Sequence, residues 1–374
     1  MILKNATVYL EDFEPHRVDL RIDGEYIAQI GDALSGEDVV DLSGKTIFPG
    51  FIDIHIHGCA GADFCDANPD SLHAMSRRLS EHGVTSFCPA SMTLPREDLE
   101  RQFRAAALAM GTEPGAYIHG INMEGPYIAE AQRGAQPAAF IRPPDLDEFR
   151  HLQSLCKVCL VDLAPETEGA FAFAREVAAD CTVSQAHTDA TFDVAAEGYR
   201  NGFSHATHLF SAMPPIYHRA PGAVCAAFDH PTVTAELICD GIHAHQPVLR
   251  MAFRLLGEDR AVVVSDAMSA AGCGDGEYAL GGQKVIVKDG RATLESGNLA
   301  SSTTNMHTEF LNLLNFGIPF RSALKACTVN PARVIGVSGV TGSIAPGKRA
   351  DLLAVDASMQ IHSVYVKGNA VYTD

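Results

Sequence analysis

The sequence predicts an α/β protein in which a (β/α)8 TIM-type barrel carries a small β-sandwich domain formed by both ends of the chain. From Gly50 onward, short apolar strands alternate with amphipathic helices of about ten to fifteen residues, which is typical of a parallel sheet. Before Gly50 and beyond Gly336 the pattern contains only short strands and turns. We therefore assign residues 50–336 to the barrel and residues 1–49 and 337–374 to the small domain.

The two terminal segments have similar composition and turn chemistry. Each is too short to bury a hydrophobic core by itself, so we expect them to pair. The predicted strands of the first segment are residues 3–9, 18–22, 27–30 and 46–48. Those of the second are residues 342–344, 350–355, 361–366 and 370–372.

Eight strands are predicted in the barrel: residues 51–57, 84–89, 117–123, 158–164, 181–186, 203–208, 233–239 and 261–265. The first predicted helix, 69–82, has Pro69 near its start and Gly83 just past its end, the usual terminal signals. Further helices are predicted at 95–110, 145–155, 167–180, 190–201, 246–256, 305–316 and 320–335. After the eighth strand, Asp289 and Gly290 separate two apolar runs and predict a hairpin. In such a barrel the chemistry lies where the strands end.

The segment 48–58 contains the sequence His-x-His within the first predicted strand. Residues i and i+2 of a strand share a face, so His55 and His57 point in the same direction. Two adjacent imidazoles on a rigid strand are suited to bind Zn, Fe, Ni or Cu. Buried histidines that only form hydrogen bonds are the alternative.

Other metal-ligating residue types fall at the ends of further predicted strands. Glu124 ends the third strand, His187 the fifth, His208 the sixth and Asp266 the eighth. Together with the His-x-His pair they suffice for two divalent ions if Glu124 bridges them, or for one ion with open water sites. Zn is the favoured metal, and Fe, Co, Mn and Ni are the alternatives.

This arrangement indicates hydrolytic chemistry. A bound metal lowers the pKa of water towards 7 and polarises a carbonyl oxygen. A carboxylate beside that water can take its proton and return it to a leaving group. Asp266 is the best candidate for this role, and a role as plain metal ligand is compatible with it.

The composition restricts the partners. The formal net charge is −18 and the pI is about 5.2, which disfavours nucleic acids and anionic membrane surfaces. An anionic substrate would therefore need a local basic pocket. The first ten residues lack the pattern of a signal peptide, no apolar run has the length of a membrane span, and ten scattered cysteines fit reduced thiols, so we expect a cytoplasmic protein.

Several motifs resemble those of the amidohydrolase superfamily and, within it, of the N-acetylglucosamine-6-phosphate deacetylases. Segments 49–58, 330–333 and 346–351 match the superfamily in general. The more specific matches are Met-Glu-Gly-Pro-Tyr at 123–127, Leu-Ala-Pro-Glu at 163–166, Ala-Thr-His-Leu-Phe-Ser-Ala-Met at 206–213, Asp-Gly-Ile-His at 240–243 and Ser-Asp-Ala-Met at 265–268.

The resemblance implies roles for individual residues. Glu124, His187 and His208 would hold the principal metal, and His55 and His57 would hold a second ion with Glu124 and Asp266. Asp266 would act as general base and then as the acid that protonates the amine. His243 would donate to the acetyl carbonyl oxygen, as an oxyanion-stabilising group does.

The resemblance also implies how a phosphorylated N-acetyl amino sugar is bound. The phosphate would meet the backbone at Ser211 and Ala212 and an arginine, Arg219, that reaches in from the second subunit of a homodimer. The other implied contacts to the substrate come from the loop after the third strand, from the seventh strand end and from the acyl pocket: Ala135, Gln136, Asp240, Thr304, Asn305 and Met306.

Two positions depart from the family pattern. Gln136 replaces a histidine that touches the sugar in many relatives, and Ser211 replaces a common asparagine. Glutamine can bond a hydroxyl but does not titrate. N-acetylgalactosamine 6-phosphate is therefore an alternative substrate. A cyclic amide or acyl amino acid, and a non-catalytic scaffold that kept the barrel, remain further alternatives.

Overall fold

Short strands occupy the first fifty residues of the chain. A computed structural model describes all residues, 1–374. The strands are β1 (Ile2–Lys4), β2 (Thr7–Tyr9), β3 (Pro15–Arg17), β4 (Asp19–Asp23), β5 (Tyr26–Gly31), β6 (Val39–Asp41) and β7 (Thr46–Pro49). The predicted strand 3–9 is split because Asn5 has φ of 64°, outside the extended region. Strands β3 and β6 were not predicted.

The next part of the chain contains parallel strands in sequence order. They are β8 (Phe51–Ile56), followed by the short pair β9 (Gly58–Cys59) and β10 (Ala62–Asp63), then β11 (Val84–Pro89), β12 (Tyr117–Ile118), β13 (Ile121–Glu124), β14 (Val158–Leu163), β15 (Thr182–Gln185), β16 (His205–Ala206), β17 (Thr234–Leu237) and β18 (Ala261–Val263). One parallel sheet has the order β12-β11-β8, and the other runs from β13 to β18 without a crossover. The α/β architecture predicted from the sequence is confirmed.

Backbone hydrogen bonds join these two sheets at both edges. Beyond β11, Ser91 N donates to Asn122 O of β13 (2.9 Å). Beyond β18, Asp266 N donates to His55 O of β8 (2.9 Å). The prediction of one strand over 117–123 is wrong, because the chain bends at Gly120, whose φ is 152°. A Cβ there would lie 2.7 Å from Lys157 O, so only glycine allows this approach.

Ten α-helices accompany the strands. They are α1 (Pro69–Glu81), α2 (Arg96–Ala109), α3 (Leu146–Leu155), α4 (Ala170–Val177), α5 (Phe192–Arg200), α6 (Gly222–Asp229), α7 (Gln246–Arg260), α8 (Met306–Asn315), α9 (Phe320–Cys327) and α10 (Val329–Val334). Helix α6 was not predicted. The predicted helix 320–335 is divided at Thr328, whose φ and ψ of −132° and −84° are not helical. None of these helices combines the length and the hydropathy needed to cross a membrane.

A four-stranded antiparallel sheet follows the last parallel strand. It consists of β19 (Gly276–Leu280), β20 (Gln283–Lys288), β21 (Arg291–Leu294) and β22 (Leu299–Ser301), paired in this order. Asp289 and Gly290 form the predicted turn between β20 and β21, and both have positive φ. Leu280 and Leu299 of this sheet line a cavity that also contains His57, Glu124 and His187.

The C-terminal strands pair with the N-terminal ones. They are β23 (Leu352–Val355), β24 (Ile361–Val366) and β25 (Asn369–Thr373), and they form a six-stranded sheet of order β25-β24-β23-β7-β2-β3. A separate cluster of 13 buried hydrophobic residues draws on both ends of the chain, including Leu3, Leu20, Leu352 and Tyr365. The predicted strand 342–344 is absent, because Gly342 has φ of 87°.

Candidate metal centre and substrate cavity

Glu124 lies at the centre of a buried cluster of histidines at the carboxyl ends of the parallel strands. Its Oε1 atom lies 3.0 Å from His187 Nε2, 3.1 Å from His208 Nε2 and 3.5 Å from His55 Nε2. Its Oε2 atom lies 3.4 Å from His57 Nε2. One carboxylate thus contacts imidazoles from three different strand ends.

Asp266 completes the cluster through the two histidines of the His-x-His pair. Its Oδ1 atom lies 3.4 Å from His57 Nε2 and 3.7 Å from His55 Nε2. The structure therefore brings together all six residues that the sequence analysis named as metal ligands: His55, His57, Glu124, His187, His208 and Asp266.

Hydrogen bonds on the far side of the rings orient three of the histidines. Nδ1–H of His187 donates to Gln132 O (2.9 Å), and Nδ1–H of His57 donates to Ala90 O (3.1 Å). In His55, Nδ1 lies 3.0 Å from Glu236 Oε2. Since Nδ1 carries the proton in these pairs, the lone pair of Nε2 faces the centre of the cluster.

The donor set fits a divalent metal ion. The ligand atoms of Glu124, His187 and His208 lie within 4.8 Å of one another, as do those of His55, His57 and Asp266. Nε2 of His55 is buried and has no hydrogen-bond partner, so a coordinated ion would satisfy it. Imidazole with carboxylate is a common set for Zn and for the neighbouring divalent metals.

Three of these residues have left-handed backbone conformations. The φ angles are 46° for His187, 27° for His208 and 45° for Asp266. Non-glycine residues rarely adopt positive φ, and such strain is concentrated at functional sites. Each of the three residues lies two or three positions beyond the last residue of its strand.

The electrostatics of the cluster keep its carboxylates ionised. Burial acts to raise the pKa of Glu124, but hydrogen bonds with His187 and His208 outweigh it and hold the pKa well below its usual value. Burial likewise acts to raise the pKa of Asp266, and His55 and His57 overcome it, so this pKa is also lowered. Anionic carboxylates are the form that binds a metal and accepts a proton.

A cavity of about 250 Å³ opens above the cluster. Five of the predicted substrate-binding or catalytic residues line it: Ala135, Gln136, Ser211, Ala212 and His243. His57, Glu124, His187, His208 and Asp266 form part of its wall, so the cavity and the metal cluster are one site. Apolar side chains that sequence reasoning missed complete the lining: Met92, Phe210, Leu280, Leu299 and Ala300.

Gln136 contacts the metal cluster directly. Its side chain is 3% exposed, and Nε2 donates to Glu124 Oε2 (2.5 Å) while Oε1 accepts from Thr93 N (2.6 Å). Both ends of the amide are therefore committed. Gln136 fixes the orientation of the Glu124 carboxylate, a role that the sequence analysis did not assign to it.

We expect Gln136→Met to lower metal affinity or kcat/KM by about 10- to 100-fold, the usual effect of losing a partner that orients a ligand. The variant removes the donor to Glu124 at nearly constant volume. Gln132→Met is the matched control, because the Gln132 side chain bonds only Asp189 at the surface. Metal titration and acetate-release assays on both variants test this expectation, and equal behaviour would contradict it.

His243 and Asp240 form a pair beside the cavity. His243 Nδ1 lies 2.7 Å from Asp240 Oδ2, and Asp240 Oδ1 accepts from the backbone N–H of His243 (2.9 Å). Burial acts to lower the pKa of His243, but Asp240 and then Asp266 outweigh it, so this pKa is raised. Because Nδ1–H is engaged with Asp240, only the imidazolium form can donate through Nε2.

This pair predicts a pH dependence. The donor form of His243 is present below its raised pKa and is lost as the pH rises through that value. We expect Asp240→Asn to lower the pKa of His243 and to move the basic limb of the kcat/KM profile to lower pH. A basic limb that stays in place would argue against His243 as the donor.

Besides Asp240, four predicted substrate contacts do not line this cavity. Thr304 and Asn305 line a separate cavity of about 30 Å³ with Arg78 and His82, and the Asn305 side chain caps helix α8 by accepting from Thr308 N. Met306 is fully buried, and Arg219 is exposed in the loop before α6. In the single chain, none of these four residues lines the cavity above the metal cluster.

Two buried carboxylates near the cluster were missed by sequence reasoning. Glu236 of β17 contacts His55, and its Oε2 also accepts from His208 N (3.0 Å). Asp162 of β14 is fully buried, and neither of its oxygens has a hydrogen-bond partner. Both residues are acidic positions inside otherwise apolar strands. This pattern could have identified them, since buried parallel strands are usually apolar throughout.

The fold and the site together define a class of protein: metal-dependent hydrolases of α/β architecture, with a metal-binding cluster at the carboxyl ends of parallel strands. The model of the Amidohydrolase family matches residues 46–371. The chain belongs to the amidohydrolase family, and its relatives include N-acetylglucosamine-6-phosphate deacetylases, as the sequence motifs indicated.

Three comparisons illustrate this relationship. The N-acetylglucosamine-6-phosphate deacetylase of Bacillus subtilis (strain 168) is 34% identical, and the match covers 88% of this chain and 85% of the relative. The N-acetylgalactosamine-6-phosphate deacetylase of Escherichia coli O157:H7 is 32% identical, with 88% and 89% covered. Among solved structures, the chain resembles that of a mutant N-acetyl-D-glucosamine-6-phosphate deacetylase from Mycobacterium smegmatis, in complex with N-acetyl-D-glucosamine-6-phosphate. The TM-score is 0.92 at 32% identity, and the match covers 100% of this chain and 99% of the other.

Proposed function

We propose that this protein hydrolyses the acetamide of N-acetylglucosamine 6-phosphate to glucosamine 6-phosphate and acetate, with a divalent metal, Zn in the first instance. The observation that carries the proposal is the continuity of the buried His and carboxylate cluster with a cavity lined by Ser211, Ala212 and His243. Relatives that match over most of their length bear this activity in their names, and the structure of a mutant relative contains this sugar phosphate.

The proposal includes the finer division of the fold. The two parallel sheets, joined at both edges, are taken as one closed (β/α)8 barrel over residues 50–336. Residues 1–49 and 337–374 are taken as a small β-domain, which the six-stranded terminal sheet and its own hydrophobic cluster support.

Asp266 transfers the proton in this scheme. A metal ion held by Glu124, His187 and His208, with His55 and His57 available for a second, supplies Lewis acidity when bound. The Asp266 carboxylate accepts a proton from the attacking water as the new C–O bond forms. It then passes this proton to the amide nitrogen as the C–N bond breaks, which releases acetate and the amine.

His243 stabilises the charge that develops on the acetyl oxygen. In its imidazolium form it donates through Nε2, while Asp240 holds the ring through Nδ1. The apolar side chains of Leu280 and Leu299 restrict water above the reacting carbon.

Arg219 is proposed to bind the phosphate of the partner subunit's substrate in a homodimer. Its loop carries the exposed apolar side chains of Ile216 and Tyr217, which supports a subunit contact there. The protein is strongly acidic, so a phosphate dianion requires such a local cation.

We expect Arg219→Ala to raise KM for the phosphorylated sugar by about 10- to 100-fold, since a charge-assisted hydrogen bond is worth about 1.5–3 kcal/mol. The KM for an uncharged N-acetyl amide should stay the same. Arg104→Ala, which changes an exposed arginine on helix α2, is the control. A similar loss on both substrates would reject a phosphate contact.

The epimer N-acetylgalactosamine 6-phosphate is the second candidate substrate. Gln136 is engaged with Glu124 and Thr93, so its amide does not select the sugar hydroxyls in the way a free side chain would. Acetate release measured on both epimeric 6-phosphates tests the assignment. Faster turnover of the glucosamine derivative supports the proposal, faster turnover of its epimer supports the second candidate, and turnover of neither refutes both.

A further inference from the structure

Asp162 stands out among the buried carboxylates of the molecule. It is the last residue but one of β14, it is fully buried, and neither carboxylate oxygen has a hydrogen-bond partner. Burying a carboxylate without a partner is costly, so the structure must compensate it in some way.

The position of Asp162 directs its side chain to the metal cluster. In the parallel pairing of β13 with β14, Asp162 is the register partner of Glu124, and register partners carry their side chains on the same face. The ligand atoms of His55, Glu124 and Asp162 lie within 4.8 Å of one another. Nε2 of His55, like both oxygens of Asp162, is buried without a partner.

Protonation of Asp162 would not resolve this arrangement. A neutral carboxylic acid still carries an O–H that needs an acceptor, and no protein acceptor lies within hydrogen-bond distance of either oxygen. A cation between Asp162, Glu124 and His55 would satisfy all the orphaned atoms at once.

We propose that Asp162 is a metal ligand. With His55 and Glu124 it would bind the second divalent ion, for which the proposed function already names His55 and His57, beside the ion held by Glu124, His187 and His208. One nitrogen and two carboxylate oxygens suit Zn²⁺ and also Co²⁺. This inference rests on the metal dependence of the proposed function and assigns a ligand that lies outside the His-x-His motif and the strand-end carboxylates.

The test is a metal count on the full-length protein, stripped with a chelator and then titrated with Zn²⁺. We expect two tight equivalents in the wild type. Asp162→Asn should keep the first and lose the second, or bind it about 100-fold more weakly, since even groups outside the coordination shell are worth about 10- to 100-fold. Glu309→Gln is the matched control, because Glu309 is also fully buried with one orphaned oxygen but belongs to no ligand group.

A second measurement does not depend on the folding of a variant. Anomalous diffraction from wild-type crystals grown with Zn²⁺ should show a peak about 2.0–2.2 Å from an Asp162 oxygen. Two tight equivalents in Asp162→Asn, or no peak at Asp162 in the wild type, would overturn the inference. Neither readout uses the sugar phosphate, so failure of the proposed activity and failure of this metal position are distinguishable.

Discussion

Asp266→Asn is expected to lower kcat for acetate release by about 10³-fold or more while the protein keeps its principal metal. General acid–base catalysis by a positioned side chain is worth about 10²- to 10⁴-fold, and Asp266 acts in both directions of proton transfer. The amide of asparagine has a similar shape but cannot accept the proton of water at neutral pH. KM should change less than kcat, because the proposed contacts to the phosphate come from other residues, Ser211, Ala212 and Arg219.

The measurement is a steady-state acetate assay together with a metal count on the same sample. Asp193→Asn is the control, since it changes an exposed carboxylate in the first turn of helix α5. Near-normal turnover in Asp266→Asn would reject the proton-transfer role. Low turnover with loss of all metal would show that Asp266 is needed to hold the metal.

Glu124→Gln is expected to abolish tight metal binding and with it the activity. The Glu124 carboxylate contacts His187, His208 and His55 through one oxygen and His57 through the other. No other residue contacts all four histidines, so a neutral amide here weakens every metal position, and we expect an affinity loss of more than about 100-fold.

Thermal unfolding with and without Zn²⁺ gives a readout that is independent of catalysis. A ligand that binds only the folded state stabilises it by about 2.7 kcal/mol at 100 times its Kd. Metal-free wild type should therefore gain stability and activity on addition of Zn²⁺, while Glu124→Gln gains neither. A variant that responds to Zn²⁺ as the wild type does would contradict the central position of Glu124.

Much of the cluster could be predicted because its residues stand where strands end. His55 and His57 share a strand face, and Glu124 is followed by Gly125 and Pro126, which stop the strand. Period-two patterns and terminal glycines or prolines are local signals, so the sequence alone locates these positions. Convergence on one point then follows from the parallel arrangement.

The rest depends on contacts that the sequence does not encode locally. Asp162 and Glu236 lie within apolar strands, and their proximity to His55 follows from the packing of the parallel strands rather than from any motif. The engagement of Gln136 with Glu124 depends on how the loop after β13 folds back. The separation of Thr304 from the main cavity likewise follows from tertiary packing.

Hydrogen bonds between β8 and the segment after β18 run through the residues that flank the metal cluster. Asp53 accepts from Ser265 Oγ (2.5 Å) and Ser265 N (3.2 Å), across 212 positions of sequence. The slowest-exchanging amides of the protein should include Ser265 and Asp266, because their protection requires both ends of this long loop to stay together. If these hydrogen bonds between β8 and the segment after β18 broke, His55 would separate from Asp266 and a bound ion would be released. The lifetime of the bound ion is therefore a lower limit on the lifetime of this pairing.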